Sequence, residues 1–141
     1  VLASIVLVSM GGARRSARDA VRKADMRQLI SAQELVYGAA DRYYTCSTLL
    51  GDCAGKADNY PATIAYSGVN YMVSTPKDPT NSGSNVYKGL DNYTVPANWQ
   101  FFCYYAVLET TPVTYYTASH GGNFARSAAP TTFTECATPL P

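Results

Sequence analysis

The sequence predicts an α+β chain in which one long N-terminal helix carries a small, disulfide-bonded head of antiparallel strands, with a long irregular segment between the two. Three observations lead there. Residues 13–45 contain no proline and only one glycine, Gly38, and are dominated by Ala, Arg, Gln, Glu, Leu and Met, the composition of a helix. From Trp99 onward, runs of Tyr, Phe, Val and Thr alternate with turn residues, the pattern of short strands. The cysteines number four, with no C-x-x-C pair, which favours disulfides over a metal site and places the chain in an oxidising, extracytoplasmic compartment. With 141 residues, 47% of them apolar and 15% charged, the chain is long enough for one folded domain.

The helix begins in an uncharged run. Val1 to Met10 are apolar or small, and Gly11, Gly12 and Ala13 extend the run to thirteen residues. At about 1.5 Å per residue it covers ~20 Å, less than the ~30 Å hydrocarbon core of a bilayer, so it does not span a membrane alone. A signal-peptide core would need a basic segment before it, and none is present. The expectation is that the protein continues upstream of Val1. Val1, Leu2, Ile5, Val6, Leu7, Val8 and Met10 are the candidate apolar packing residues of this segment. Gly11 and Gly12 together cost roughly 2 kcal/mol of helix propensity relative to alanine, which marks them as an expected break, bend or point of extension.

A charged stretch follows. Ala13 to Arg27 hold six bases (Arg14, Arg15, Arg18, Arg22, Lys23, Arg27) and two acids (Asp19, Asp25), a net +4, while Gln28 onward has five bases and eight acids, a net −3. The overall charge of +1 hides a basic stalk on an acidic head and gives no global argument for nucleic acid. Arg15 with Asp19, Asp19 with Lys23, and Arg22 with Asp25 have helical pair spacing. Arg14, Arg15, Arg18 and Arg22 are the stalk charges expected to meet the heads of neighbouring copies. Next comes an apolar stripe at three-and-four spacing, Met26, Leu29, Ile30, Gln33, Val36, Tyr37, Ala40 and Tyr44, with Gln33 its one polar member. That face is expected to cover the head. The organisation is thus a protruding helix half over 1–27, divided into an apolar segment 1–13 and a basic stalk 14–27. A head over 28–141 contains the rest of the helix, a loop over 46–98 and strands within 99–138.

The segment 46–98 is rich in Gly, Pro, Asn, Ser, Asp and Tyr and reads as mostly loop. Three strands are expected beyond it, Trp99 to Glu109, Val113 to Ser119 and Thr131 to Thr138. Four cysteines allow three connectivities. Cys46 with Cys53 and Cys103 with Cys136 is the favoured one, since the first pair brackets a short Gly-containing loop and the second could tie the last strand to a central one. Chain-entropy arguments give these bridges roughly 2.5 and 3.8 kcal/mol.

Helix first, irregular loop second and antiparallel sheet last is the order of the type IV pilin superfamily, and several stretches resemble it. Val1, Leu2, Ala3, Ser4 and Ile5 pass into a charged helix ending in Gln33, Glu34, Leu35, Val36 and Tyr37, as in bacterial pilins and the major pseudopilins of type II secretion. Asn59, Tyr60 and Pro61 resemble the family's tyrosine-proline loop entry. Pro76, Lys77, Asp78 and Pro79 resemble its Pro-Lys-Asp-Pro turn, and Tyr104 to Glu109 its first long strand. The resemblance implies the pilin fold and the role of a structural subunit of an extracellular filament. Such a subunit is held in the inner membrane before assembly, handled there by pilus machinery, and then polymerised with copies of itself. The family's mature chains begin with a methylated Phe followed by Thr-Leu-Ile-Glu, which this sequence lacks; by the family pattern Val1 falls inside the mature chain, and the processing site and assembly glutamate are implied upstream. A type II secretion pseudopilin and a minor or adhesive pilin are the alternatives within the superfamily.

Enzymatic and ligand-binding readings find few parts. His120 is the only histidine and sits in an expected turn between Ser119 and Gly121, so a nucleophilic site lacks its base. The calcium loop of major pseudopilins needs carboxylates near the C terminus, and Glu135 is the only acid after Glu109, which favours a pilus subunit and gives no metal site. No cofactor, specific nucleic acid or small-molecule ligand is predicted, and the twelve tyrosines are read as strand and loop packing. Asn92, Tyr93 and Thr94 form an N-glycosylation sequon on a loop expected to be exposed.

Overall fold

The computed structural model describes residues 2–44, 58–90, 92 and 99–139, with side chains from Met10 onward. It is an α+β chain. Helix α1 (Leu2–Ala40) is followed by a hairpin of β1 (Ile64–Tyr66) and β2 (Val69–Met72), then β3 (Lys88–Gly89), β4 (Cys103–Leu108), β5 (Thr114–Ser119), β6 (Gly122–Arg126) and a short helix α2 (Phe133–Ala137). Strands β3 to β6 form an antiparallel sheet in sequence order.

Helix α1 runs unbroken through Gly11 and Gly12, so the break expected there does not occur. Glycine lowers helix propensity but keeps its N–H donor, unlike proline, and two glycines inside a long helix are carried by the turns on either side. The predicted stripe is correct. Met26, Leu29, Gln33 and Val36 are buried, and Ile30, Tyr37, Ala40 and Tyr44 pack half-buried against the same core. They meet the inward residues of the sheet, Tyr104 and Ala106 from β4 and Tyr116 and Ala118 from β5, which alternate as the strand period requires, and Leu108 is buried at the end of the same β4 row. Tyr60, Ile64, Tyr87 and Phe102 close the core, with edge-on ring contacts between Tyr60 and both Tyr87 and Tyr104.

The expected loop 46–98 contains more regular structure than its composition suggested. The β1–β2 hairpin turns on Ser67 and Gly68, both at positive φ (50° and 81°), a backbone that matches the twist of the flanking strands. Strand β6 was also unforeseen, because Gly121 and Gly122 read as a connection. In fact His120 and Gly121 alone make the turn, and Gly122 already pairs with Ser119.

The third predicted strand is wrong. Thr131 to Thr138 contains helix α2, started by a capping box in which the Thr132 hydroxyl accepts from the Glu135 amide and Glu135 bonds back to the Thr132 amide. Thr and Phe favour strands in general, but Thr-x-x-Glu satisfies two helix-end donors locally. The helix lies on the opposite face of the sheet from α1, where Cys136 bonds to Cys103 with Cα atoms 5.9 Å apart and its carbonyl accepts from the Thr117 hydroxyl at 3.1 Å. The predicted Cys103–Cys136 pairing is therefore correct, although it ties a helix rather than a strand to β4. Cys46 and Cys53 lie outside the described residues, as do the side chains of Val1, Leu2, Ile5, Val6, Leu7 and Val8.

Candidate functional site

The face of α1 that carries Met26 and Leu29 continues one and two turns earlier as Arg22 and Asp19, at the same three-and-four spacing. Both are buried, Arg22 completely. A buried guanidinium requires partners on all its edges, and it has them. Nε and Nη2 donate to the Asp78 carboxylate at 2.7 and 2.9 Å, Nη1 donates to Asp19 at 2.8 Å and lies 2.7 Å from Glu109, and Nη2 also reaches the Thr80 hydroxyl at 3.2 Å. Asp19 in turn accepts from the backbone amides of Glu109 at 2.9 and 3.1 Å and of Thr110 at 3.2 Å. Arg18 adds a forked pair to Glu109.

The loop residues are held for this purpose. Asp78 sits in the Pro76 to Pro79 turn, and its Oδ1 accepts from the amides of Thr80 at 2.8 Å and Asn81 at 3.3 Å, an Asx-type turn that fixes the carboxylate. Burial pushes the Asp78 carboxyl up, but the bonds from Arg22, Thr80 and Asn81 hold it below the usual carboxylate range. Arg18, with Arg22, draws Glu109 down to about 2. One turn further along α1 the balance reverses. Burial raises the Asp25 carboxyl against a 2.6 Å bond donated by the Tyr87 hydroxyl. The result is a clasp of two arginines and three carboxylates that fixes α1 to the 76–81 turn and the end of β4.

The clasp corrects the predicted stalk. Arg18 and Arg22 face their own head and are neutralised within the chain. Asp19 pairs with Arg22 instead of Arg15 or Lys23, and Lys23 lies over the Tyr116 ring at 5.8 Å. The physical reason is geometric: positions 18, 19 and 22 fall on the face that already covers the sheet, so their charges must be matched there. The head therefore grips the helix from Arg18, not from Gln28. Preceding the clasp, Met10, Gly11, Ala13, Arg14, Arg15, Ser16 and Ala17 are exposed, and Arg14 and Arg15 have no ion pair among the described residues. From Ala17 back to Leu2 the helix extends for roughly 24 Å at 1.5 Å per residue.

Asn92 also departs from expectation. It is 3% exposed, and its side-chain nitrogen donates to the Phe101 carbonyl at 2.9 Å and the Tyr44 carbonyl at 3.3 Å. The atom that glycosylation would modify holds the chain leaving α1 to the chain entering β4, so this asparagine is a structural tie. His120 occupies the turn predicted for it. Among the described residues no group of His, Cys, Asp or Glu is arranged to hold a metal ion, and no helix is long and apolar enough to cross a membrane. Comparison of the chain with protein-family models, curated proteins and solved structures finds no match.

Proposed function

We propose that this chain is the structural subunit of a type IV pilus-like helical filament. The observation that carries the reading is the division of α1. One stretch, from Arg18 on, is gripped by the head through the clasp and the Met26 to Val36 stripe, and the other continues as helix through the exposed residues Met10, Gly11 and Ala13 to Ala17 and has an apolar sequence before them. Burying each Leu, Ile or Val of such a segment is worth roughly 1.5–3 kcal/mol, and copies of the same helix supply the surface. Contacts of this head-to-tail kind repeat without closing and give a filament. Arg14 and Arg15, without an ion pair among the described residues, are the charges available to the net-negative head of a neighbour.

In this reading the helix lies inside and the sheet, with α2 over it, forms the outer wall. The subunit waits in the inner membrane with its assembly machinery and ends at the cell surface, its main partner is itself, and its role is structural rather than catalytic. The experiment is electron microscopy of material purified from the producing cells. Long helical filaments built of this one chain support the reading, and a dispersed monomer of low copy number opposes it.

A further inference from the structure

The face of the sheet turned away from α1 carries a cleft of about 420 Å³ between the β5–β6 turn, the chain entering β4, and α2. Small-molecule sites commonly enclose about 300–1,000 Å³. Its walls are of two kinds. Phe101 and Phe133 present rings 26° from parallel with centroids 6.1 Å apart, and the His120 ring tilts against Phe101 at 4.8 Å. The remainder includes the threonines Thr132, Thr134 and Thr138.

This lining selects among ligand classes. Apart from His120, no lining residue is ionisable, so a phosphate, carboxylate or ammonium group would enter without a counter-ion, at a desolvation cost. A wholly apolar ligand would cover the Thr134 hydroxyl, which makes no hydrogen bond among the described residues, without bonding it. Both walls are matched by a neutral ring with a C–H face and a hydroxyl edge. We propose that the cleft binds a neutral pyranose sugar, its C–H face against Phe101, beside the His120 ring, and a hydroxyl toward Thr134. The sheet separates this site from α1, so occupancy does not compete with contacts made by the helix, and the proposal stands apart from the filament reading.

The test is titration of the full chain, kept in a detergent without a sugar headgroup, with the methyl glycosides of glucose, galactose and mannose, with phenol as the apolar control. Binding is followed by calorimetry and by NMR of the His120 and Phe101 rings. One glycoside is expected to saturate and to shift both rings. Phe101→Ala should weaken it about tenfold, the order of one aromatic contact, and Thr134→Val should weaken it severalfold. Both side chains lie at the surface, so both variants should keep the wild-type circular dichroism. Failure of every glycoside at millimolar concentration, binding of phenol alone, or affinity unchanged in both variants would overturn the proposal.

Discussion

Arg22 and Asp78, 56 positions apart, form a forked ion pair at 2.7 and 2.9 Å in which neither side chain is exposed to solvent. Breaking one side of such a pair leaves a buried charge without compensation, which typically costs about 3–5 kcal/mol. Arg22→Ala strands Asp78, Asp19 and part of Glu109, so we expect a loss of that order in urea unfolding. Arg14→Ala, on the exposed segment, should leave the unfolding midpoint unchanged within error. Equal, small effects from both substitutions would contradict the clasp.

Acid should loosen the same junction. Glu109 has a folded pKa of about 2, below its ordinary 4.5, so its contribution is complete above the ordinary value and is lost as pH falls through the folded one. Asp78 is shifted in the same direction. Asp25 is shifted upward, so its ionisation works against stability as pH rises through its titration. Denaturant midpoints should fall between about pH 4.5 and 2, and Glu109→Gln should flatten that slope while lowering stability at neutral pH.

Gln33 interrupts the apolar stripe of α1 for a reason visible in its contacts. Its Oε1 accepts from the Tyr44 amide at 2.8 Å and its Nε2 donates to the Tyr104 hydroxyl at 2.7 Å. Gln33→Leu would complete the stripe in sequence terms yet remove the bonds to the Tyr44 amide and to the buried Tyr104 hydroxyl. We expect it to destabilise by about 1–3 kcal/mol, read as a lower urea midpoint.

The two ends of the disulfide loop should respond together. Reduction of Cys103–Cys136, which are 33 residues apart, removes a constraint worth roughly 3–4 kcal/mol on chain-entropy grounds. Gly121→Ala puts a Cβ 2.5 Å from the Ala137 carbonyl oxygen, and forcing such an overlap costs about 1–3 kcal/mol. Hydrogen exchange should rise across α2 and the β5–β6 turn in both cases. Gly11→Ala and Gly12→Ala meet nothing within 4 Å in the subunit, so the fold should tolerate them. In the filament proposed above, a loss of filaments in that double variant would report close packing by a neighbouring copy.

What could be read in advance follows from how local each signal is. The helix, its buried stripe and the strands β4 and β5 rest on spacings within one segment, and these were legible. The clasp was not, because the partners of Arg22 come from a turn and a strand end far along the chain, and six basic residues in one stretch resemble a solvated stalk. Two misses did carry a signal. Thr132 and Glu135 have the spacing of a capping box, which strand propensity obscured, and Asp19 and Arg22 extend the stripe periodicity into charged residues.

The position of the clasp has a mechanical consequence. Tension applied to α1 on the N-terminal side of the clasp reaches the head along the helix axis, so the packed stripe behind Arg22 is loaded in shear, with its contacts strained together, and is not peeled open one at a time. The ion pairs to Asp78 and Glu109 stand first in that load path. Rupture force should therefore depend more on two arginines at the rim of the head than on the larger apolar contact area behind them.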